Sequence, residues 1–285
     1  MSPGFTLARL AVREASRRRL SLALAGITLV AVGFSAWGFG RLVHLAPGGV
    51  PLTPLQVRLA AMQLLIFVMF MFSGILALGG IFLGAPAIAG DIESGVALAV
   101  MARPVARSEL LLGRWLGLAL LVAVYAAATT ALEFFVVARI TGYAVPDPAA
   151  GIAYMVVEGL SLLTLAVALS TRLAAMTAGI TAAGLFFIVW IGGIVGNIGH
   201  ALHNAALAHV GTVTRLVLPS DALWRGAEYA MEAPLVVLAE AQRAAAAANP
   251  FFSPEPDSAA YLAWVAVWFL LVLALALWSF HAREL

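Results

Sequence analysis

Few residues in this chain could do chemistry, and most of them stand inside or beside long apolar runs. Glu133 and Glu158 are lone acids in stretches with almost no other charge. A carboxylate at membrane depth is costly and faces a cavity or a partner. Two uses are open for them. One is a structural ion pair with Arg139 or Arg41, or a proton shared between the two acids. The other is the lining of a polar path through a membrane, or of its outer gate. Asn197, His200, His203 and Asn204 recur at helical spacing. His200 and His203, three apart on a helix, would be near enough to share a metal ion. No cysteine or neighbouring carboxylate completes a ligand set, so the expectation is a polar helix end at a water interface, with no metal. Asn197 and His200 then join the two glutamates as path or gate residues. The third cluster is Gly90-Asp91-Ile92-Glu93-Ser94-Gly95, followed by Arg103-Pro104-Val105-Ala106-Arg107-Ser108-Glu109 and Gly113-Arg114. It carries both charge signs between two uncharged runs, 59–90 and 115–132. Such a segment reads as a structured loop at a membrane surface.

Several chemistries are excluded. With no cysteine there is no disulfide and no thiol nucleophile. All 16 basic residues are arginine, so there is no Schiff-base lysine and no GxxxxGK[ST] phosphate loop. If ATP drives this chain, another polypeptide binds it. Serine chemistry needs a positioned nucleophile and base. The nearest elbow-like sequence, Gly159-Leu160-Ser161-Leu162, fails at its last position, and neither an HExxH nor a paired-aspartate pattern occurs. The chain is not expected to be an enzyme.

These residues must be positioned by membrane helices. The 285 residues are 63% hydrophobic and 11% charged, where a soluble domain carries roughly 25% charged residues. There is too little polar surface to coat a globule in water, so the fold class is an all-α integral membrane protein in a single transmembrane domain. The net charge of +2 is read as arginines that set orientation and meet lipid headgroups, with no nucleic-acid partner.

Six segments reach the roughly 20 apolar residues a span needs: 20–43, 60–84, 110–138, 152–171, 174–199 and 260–281. Spans four and five are divided only by Ser170-Thr171-Arg172, which predicts a tight hairpin. Arg9, Arg13, Arg17, Arg18 and Arg19 argue for a cytoplasmic N-terminus, and six spans return the C-terminus to the same side. Residues 4–19 read as an interfacial helix with Arg9, Arg13 and Arg17 on one face. The first span is too long for a signal-peptide core of roughly 7–15 residues and reads as an uncleaved anchor. The segment 201–259 reads as an extracytoplasmic loop with small outer-surface helices. One starts at Pro219-Ser220-Asp221, with Ser220 or Asp221 as cap, and runs to Tyr229; a second covers 233–248. Gly80/Gly84, Gly113/Gly117 and Gly192/Gly196 are GxxxG pairs suited to close helix packing.

The loop 89–114 resembles the corresponding stretch of ABC-2-type permeases, the membrane subunits of ATP-binding-cassette exporters. Asp91 stands for that family's usual first acid, Val96 for a threonine, Ala106 for a serine and Arg114 for a lysine. Leu218-Pro219-Ser220-Asp221-Ala222-Leu223-Trp224-Arg225 is similar to the family's outer segment, in the subgroup associated with multicopper-enzyme maturation. The resemblance implies a permease in a prokaryotic cytoplasmic membrane. It would pair with a second copy or a paralogue and dock on a separate ATPase subunit that holds ATP and Mg, binding no cofactor itself. It also implies an ATPase-coupling role for Asp91, Glu93, Gly95, Arg103, Pro104, Arg107 and Glu109. The alternatives in other classes are an ATP-independent carrier or channel, and a membrane scaffold that recruits an ATPase without transport.

Overall fold

The computed structural model describes residues 19–95, 106–234, 236, 253 and 255–283, with side chains from residue 26. The expected interfacial helix 4–19, Arg103, Pro104 and most of the expected helix 233–248 lie outside them. Among the described residues the secondary structure is helical, in nine α-helices. These are α1 (Arg19–Val43), α2 (Pro54–Gly84), α3 (Pro86–Glu93), α4 (Arg107–Thr141), α5 (Pro148–Ser170), α6 (Ala175–Ala201), α7 (Ala205–Val217), α8 (Ser220–Met231) and α9 (Ala259–His281). Six of them (α1, α2 continued by α3, α4, α5, α6 and α9) are long and apolar enough to cross a membrane. The six-span, all-α membrane architecture expected from composition is therefore the fold.

Local sequence sets where these helices begin. Proline opens α2, α3 and α5 at a position whose N–H has no helical partner anyway. Thr53 and Gln56 form a reciprocal capping box on α2. Asp147 caps α5 and Ser258 caps α9. Pro86 also breaks the backbone ladder between α2 and α3, so the long second span ends in a separate short helix.

α5 is the central element and packs against α2, α4 and α8. Gly84 is where α2 comes closest to it: a Cβ there would stand 2.8 Å from the Leu163 carbonyl oxygen. The core runs through Phe39, Met62, Leu65, Ile66, Met69, Leu163 and Val167. Outward faces stay apolar, as at Val30, Phe34, Met176 and Trp278. Side chains of this kind suit hydrocarbon rather than water.

One end of the bundle carries α3, the α5–α6 turn and the end of α9. The other carries the α1–α2 and α4–α5 turns together with α7 and α8. These are called the α3 end and the α8 end.

The segment between α6 and α9 departs from expectation. Of the small helices there, α7 keeps an exposed outer face, with only Gly211 buried, but α8 does not lie on the surface. α7 turns back along α6 so closely that a Cβ on Gly196 would stand 2.5 Å from the Gly211 Cα. α8 then runs back out against α5, and every residue of it but Tyr229 is buried. Neither Ser220 nor Asp221 caps α8, because the Asp221 carboxylate is drawn to two arginines instead.

Helix ends need partners for their last carbonyls, and neighbouring elements supply them. Tyr261, Trp264 and Trp268 share one face of α9. They donate to the carbonyls of Arg215, Leu216 and Val217 at 3.0, 3.3 and 2.8 Å. At the far end of α8, the Asp147 amide donates to the Ala230 carbonyl at 3.2 Å, and the Tyr143 hydroxyl to that of Met231.

Candidate functional site

At the α3 end, the loop charges tie helices to one another. The Arg114 guanidinium meets both carboxylate oxygens of Asp91 at 2.7 Å, joining α3 to α4. Glu93 accepts the Ala175 amide at 2.9 Å, joining α3 to the first turn of α6. Arg107 donates to the carbonyls of Phe280, His281 and Arg283 at 3.1, 3.1 and 2.6 Å, holding the end of α9. Glu109 accepts the Ala106 amide at 3.2 Å and closes the start of α4. Arg283 completes the set by donating to the Thr171 carbonyl at 2.7 Å. Gly95 follows α3 with φ 74°, a left-handed backbone that a β-carbon disfavours. The candidate coupling residues that are described thus bind α3, α4, α6 and α9 into one block. Sequence suggested a mixed-charge face, but much of that charge is spent inside the chain.

The α8 end holds a second charged centre, which sequence reasoning did not assemble. Asp221 is 3% exposed and accepts from Arg215 at 2.9 Å and from Arg225 at 3.3 Å. Arg215 also donates to the Asn197 side-chain oxygen at 2.9 Å. Gly193 of α6 makes room for this carboxylate, since a Cβ there would collide with it. Asn197 and His200 line a polar cavity of about 510 Å³ together with Arg215, Arg225, Asp257 and Tyr261. Burial pushes Asp257 up to about 6, against the pull of Arg215. Burial also raises Glu228 well above the ordinary carboxylate range, with Arg225 opposing the shift and Glu232 and Asp221 adding to it. The signal available in sequence was the i,i+4 spacing of Asp221 and Arg225; the contribution of Arg215 depends on the fold-back of α7.

Glu133 and Glu158 are buried, at 0% and 1% exposure. The expected ion pairs do not form. Arg139 lies over the Phe135 ring, 5.7 Å from its centroid, and Arg41 is exposed. The two acids are not paired with each other among the described residues. Glu158 instead accepts the Ser73 hydroxyl at 2.6 Å and lines a cavity of about 340 Å³ with Asp221. Glu133 lies on α4 near Ser35 of α1. The Ser35 hydroxyl donates to the Val32 carbonyl at 2.9 Å, and neither Glu133 oxygen is hydrogen-bonded. His203 has φ 52°, with a ring nitrogen 3.2 Å from the His200 carbonyl oxygen. Among the described residues no three histidines or acids stand together as metal ligands.

A family model described as ABC-2 family transporter protein matches residues 51–285, from just before α2 to the end of the chain. The chain belongs to the ABC-2 transporter family. No curated protein matches it. As an ABC-2 protein it is a multi-pass membrane component of a transporter, and its work is transport rather than catalysis. The matched region contains both charged centres and both cavities, so the site geometry belongs to the ABC-2 part of the chain. The family description names neither a subgroup nor a cargo.

Proposed function

We propose that this ABC-2 permease is the membrane subunit of an ATP-binding-cassette exporter, driven by a separate ATPase that docks at the α3 end. The observation that carries this reading is the block at that end. Asp91 and Glu93 fasten α3 to α4 and α6, and Arg107 fastens α4 to the end of α9, so a push on α3 is delivered to α4 and α6 directly and to α9 through α4. A loosely hung loop would dissipate the same push in its own rearrangement. Rigid-body tilting of the helices could then alternate access to the interior. The chain contains no lysine and so lacks the lysine-bearing phosphate loop an ATPase needs, which supports a motor on a partner. Two permease copies, or a copy and a paralogue, enclose the pathway. The α3 end and both termini face the cytoplasm of a prokaryote, and the α8 end faces outward.

The natural absence of cysteine makes orientation directly testable. Ser94 and Ala205 are exposed at opposite ends. In right-side-out vesicles an impermeant maleimide is expected to label Ala205→Cys at once, and Ser94→Cys only after permeabilisation. The reverse pattern would put the docking surface on the wrong side and sink the proposal. ATP-dependent stimulation of transport in vesicles holding the permease and its ATPase tests the motor assignment; cargo movement without the ATPase overturns it.

A further inference from the structure

We propose that the 340 Å³ cavity between α2, α5, α6 and α8 is a binding site for a lipophilic organic cation. As a statement about cargo, this rests on the exporter reading above; as a binding site it does not.

The walls are aromatic. Phe70, Phe186, Phe187, Trp190 and Trp224 all line the cavity. Phe70 stands between the two indoles, 5.7 Å from the Trp190 ring and 5.5 Å from the Trp224 ring. Two carboxylates reach the same space, Glu158 from α5 and Asp221 from α8. Each is more than nine-tenths buried. Each commits one oxygen within the fold: Glu158 Oε1 to the Ser73 hydroxyl, and Asp221 Oδ2 to Arg215 and Arg225. The second oxygen of each, Glu158 Oε2 and Asp221 Oδ1, is buried without a hydrogen-bond partner. None of the lining residues is basic.

The combination is selective. The Glu158 carboxylate disfavours an anion, and Asp221, whose charge Arg215 and Arg225 already hold, adds an acceptor rather than a donor. A neutral apolar guest would fill the aromatic space but leave both free oxygens unmatched, and buried acceptors without partners are expensive. A small inorganic cation would need more oxygen ligands than this wall provides. A cation wrapped in hydrocarbon satisfies both halves: its charge meets the Glu158 carboxylate and the ring faces, and its apolar groups fill the cavity. The volume lies in the range of small-molecule sites, about 300–1,000 Å³.

The test uses the full-length protein in detergent micelles, without ATP or partner. The probes are tetraphenylphosphonium and tetraphenylborate, which share a shape and differ in charge. Saturable binding of the phosphonium, with quenching of tryptophan fluorescence, and no saturable binding of the borate are expected. Glu158→Gln keeps the volume and the acceptor for Ser73, and should weaken phosphonium binding about thirtyfold or more. Trp190→Leu removes one ring and leaves both acids, and should weaken it about fivefold. Equal binding of the two probes, wild-type affinity in Glu158→Gln, or no saturable phosphonium binding by the wild type overturns the site. If Glu158→Gln fails to fold, the charge-twin comparison and Trp190→Leu still decide. Failure here leaves the exporter reading standing. Phosphonium binding without ATP-driven phosphonium efflux in the reconstituted complex would overturn the cargo role and keep the site.

Discussion

Replacing Asp221 by asparagine keeps its shape beside Gly193 and removes the carboxylate charge to which both Arg215 and Arg225 are bonded. Breaking a buried pair from one side costs about 3–5 kcal/mol, because the remaining charge stays in a poor solvent. The two arginines should not share that cost equally. Distance favours Arg215, at 2.9 Å against 3.3 Å for Arg225, but the Coulomb energy scales inversely with separation and the difference amounts to only about 14%. Burial favours Arg225, whose side chain is 9% exposed against 26% for Arg215. A change in effective dielectric from about 80 to about 20 alters the same energy fourfold, so burial outweighs distance. Arg215 also keeps Asn197 as a second partner, whereas Arg225 would be left among Glu228 and other buried groups. Double-mutant cycles pairing Asp221→Asn with Arg225→Met and with Arg215→Met separate the two terms, and remove the loss that Arg225→Met inflicts on Glu228 alone. The measurement is reversible unfolding in mixed micelles. The Asp221–Arg225 coupling should exceed about 1.5 kcal/mol, and the Asp221–Arg215 coupling should stay below about 1 kcal/mol. A coupling to Arg215 equal to or larger than that to Arg225 would refute the ordering by burial.

Two further outcomes are expected. Gly95 has φ 74°, and a Cβ added there would meet nothing within 4 Å, so Gly95→Val should cost only the backbone term of about 1–2 kcal/mol, and Gly95→Asn less. In the permease–ATPase complex the valine variant should keep hydrolysing ATP while moving less cargo per ATP; an unchanged ratio would remove the loop from the coupling path. Asp257 is held up at about 6 by burial, so between its unfolded value and 6 the folded chain binds more protons than the unfolded one, and stability falls as pH rises through that window. Asp257→Asn should flatten this part of the stability profile, its gain over wild type building from about pH 4 and levelling off above about pH 6, as read from melting temperatures across pH 4 to 8; an unchanged slope would count against the raised Asp257.

The spans were legible because hydropathy over about 20 residues is a local property that the bilayer reads directly. Span four could be told from span five because Ser170-Thr171-Arg172 is polar, and the helices do part there. The charged loop was legible as a cluster but not in its use. Nothing in the spacing of Asp91, Glu93 and Arg107 says that their partners are Arg114, the Ala175 amide and the end of α9. Those partners lie up to 176 positions away, and pairing at that range is set by how the helices stack. The same limit applies to Glu133 and Glu158, for which presumed depth alone suggests arginine partners that the packing does not supply.

The α7–α8 fold-back was the least legible element, for a physical reason that reaches the function. α8 is rich in polar residues, and in a membrane protein that composition reads as a segment left in water. Some of its polar groups instead find partners inside the bundle: one Asp221 oxygen in two arginines, and the terminal carbonyls in the donors of neighbouring elements. Glycines on α6 allow this, since Gly192, Gly196 and Gly199 recur on the face that receives α7, and Gly211 answers them from the other side. Glycine on both members of a helix pair permits backbone approach that side chains would forbid. A hairpin held this way carries charge to membrane depth without a continuous polar span. It thereby sets Asp221 and Glu158 in one cavity whose other walls are mostly hydrocarbon and aromatic rings. An acid placed on a long apolar helix would also bring charge to that depth. Placed on a short helix, Asp221 instead reaches that depth with Arg215 and Arg225 as its partners and with Gly193 leaving room for its carboxylate.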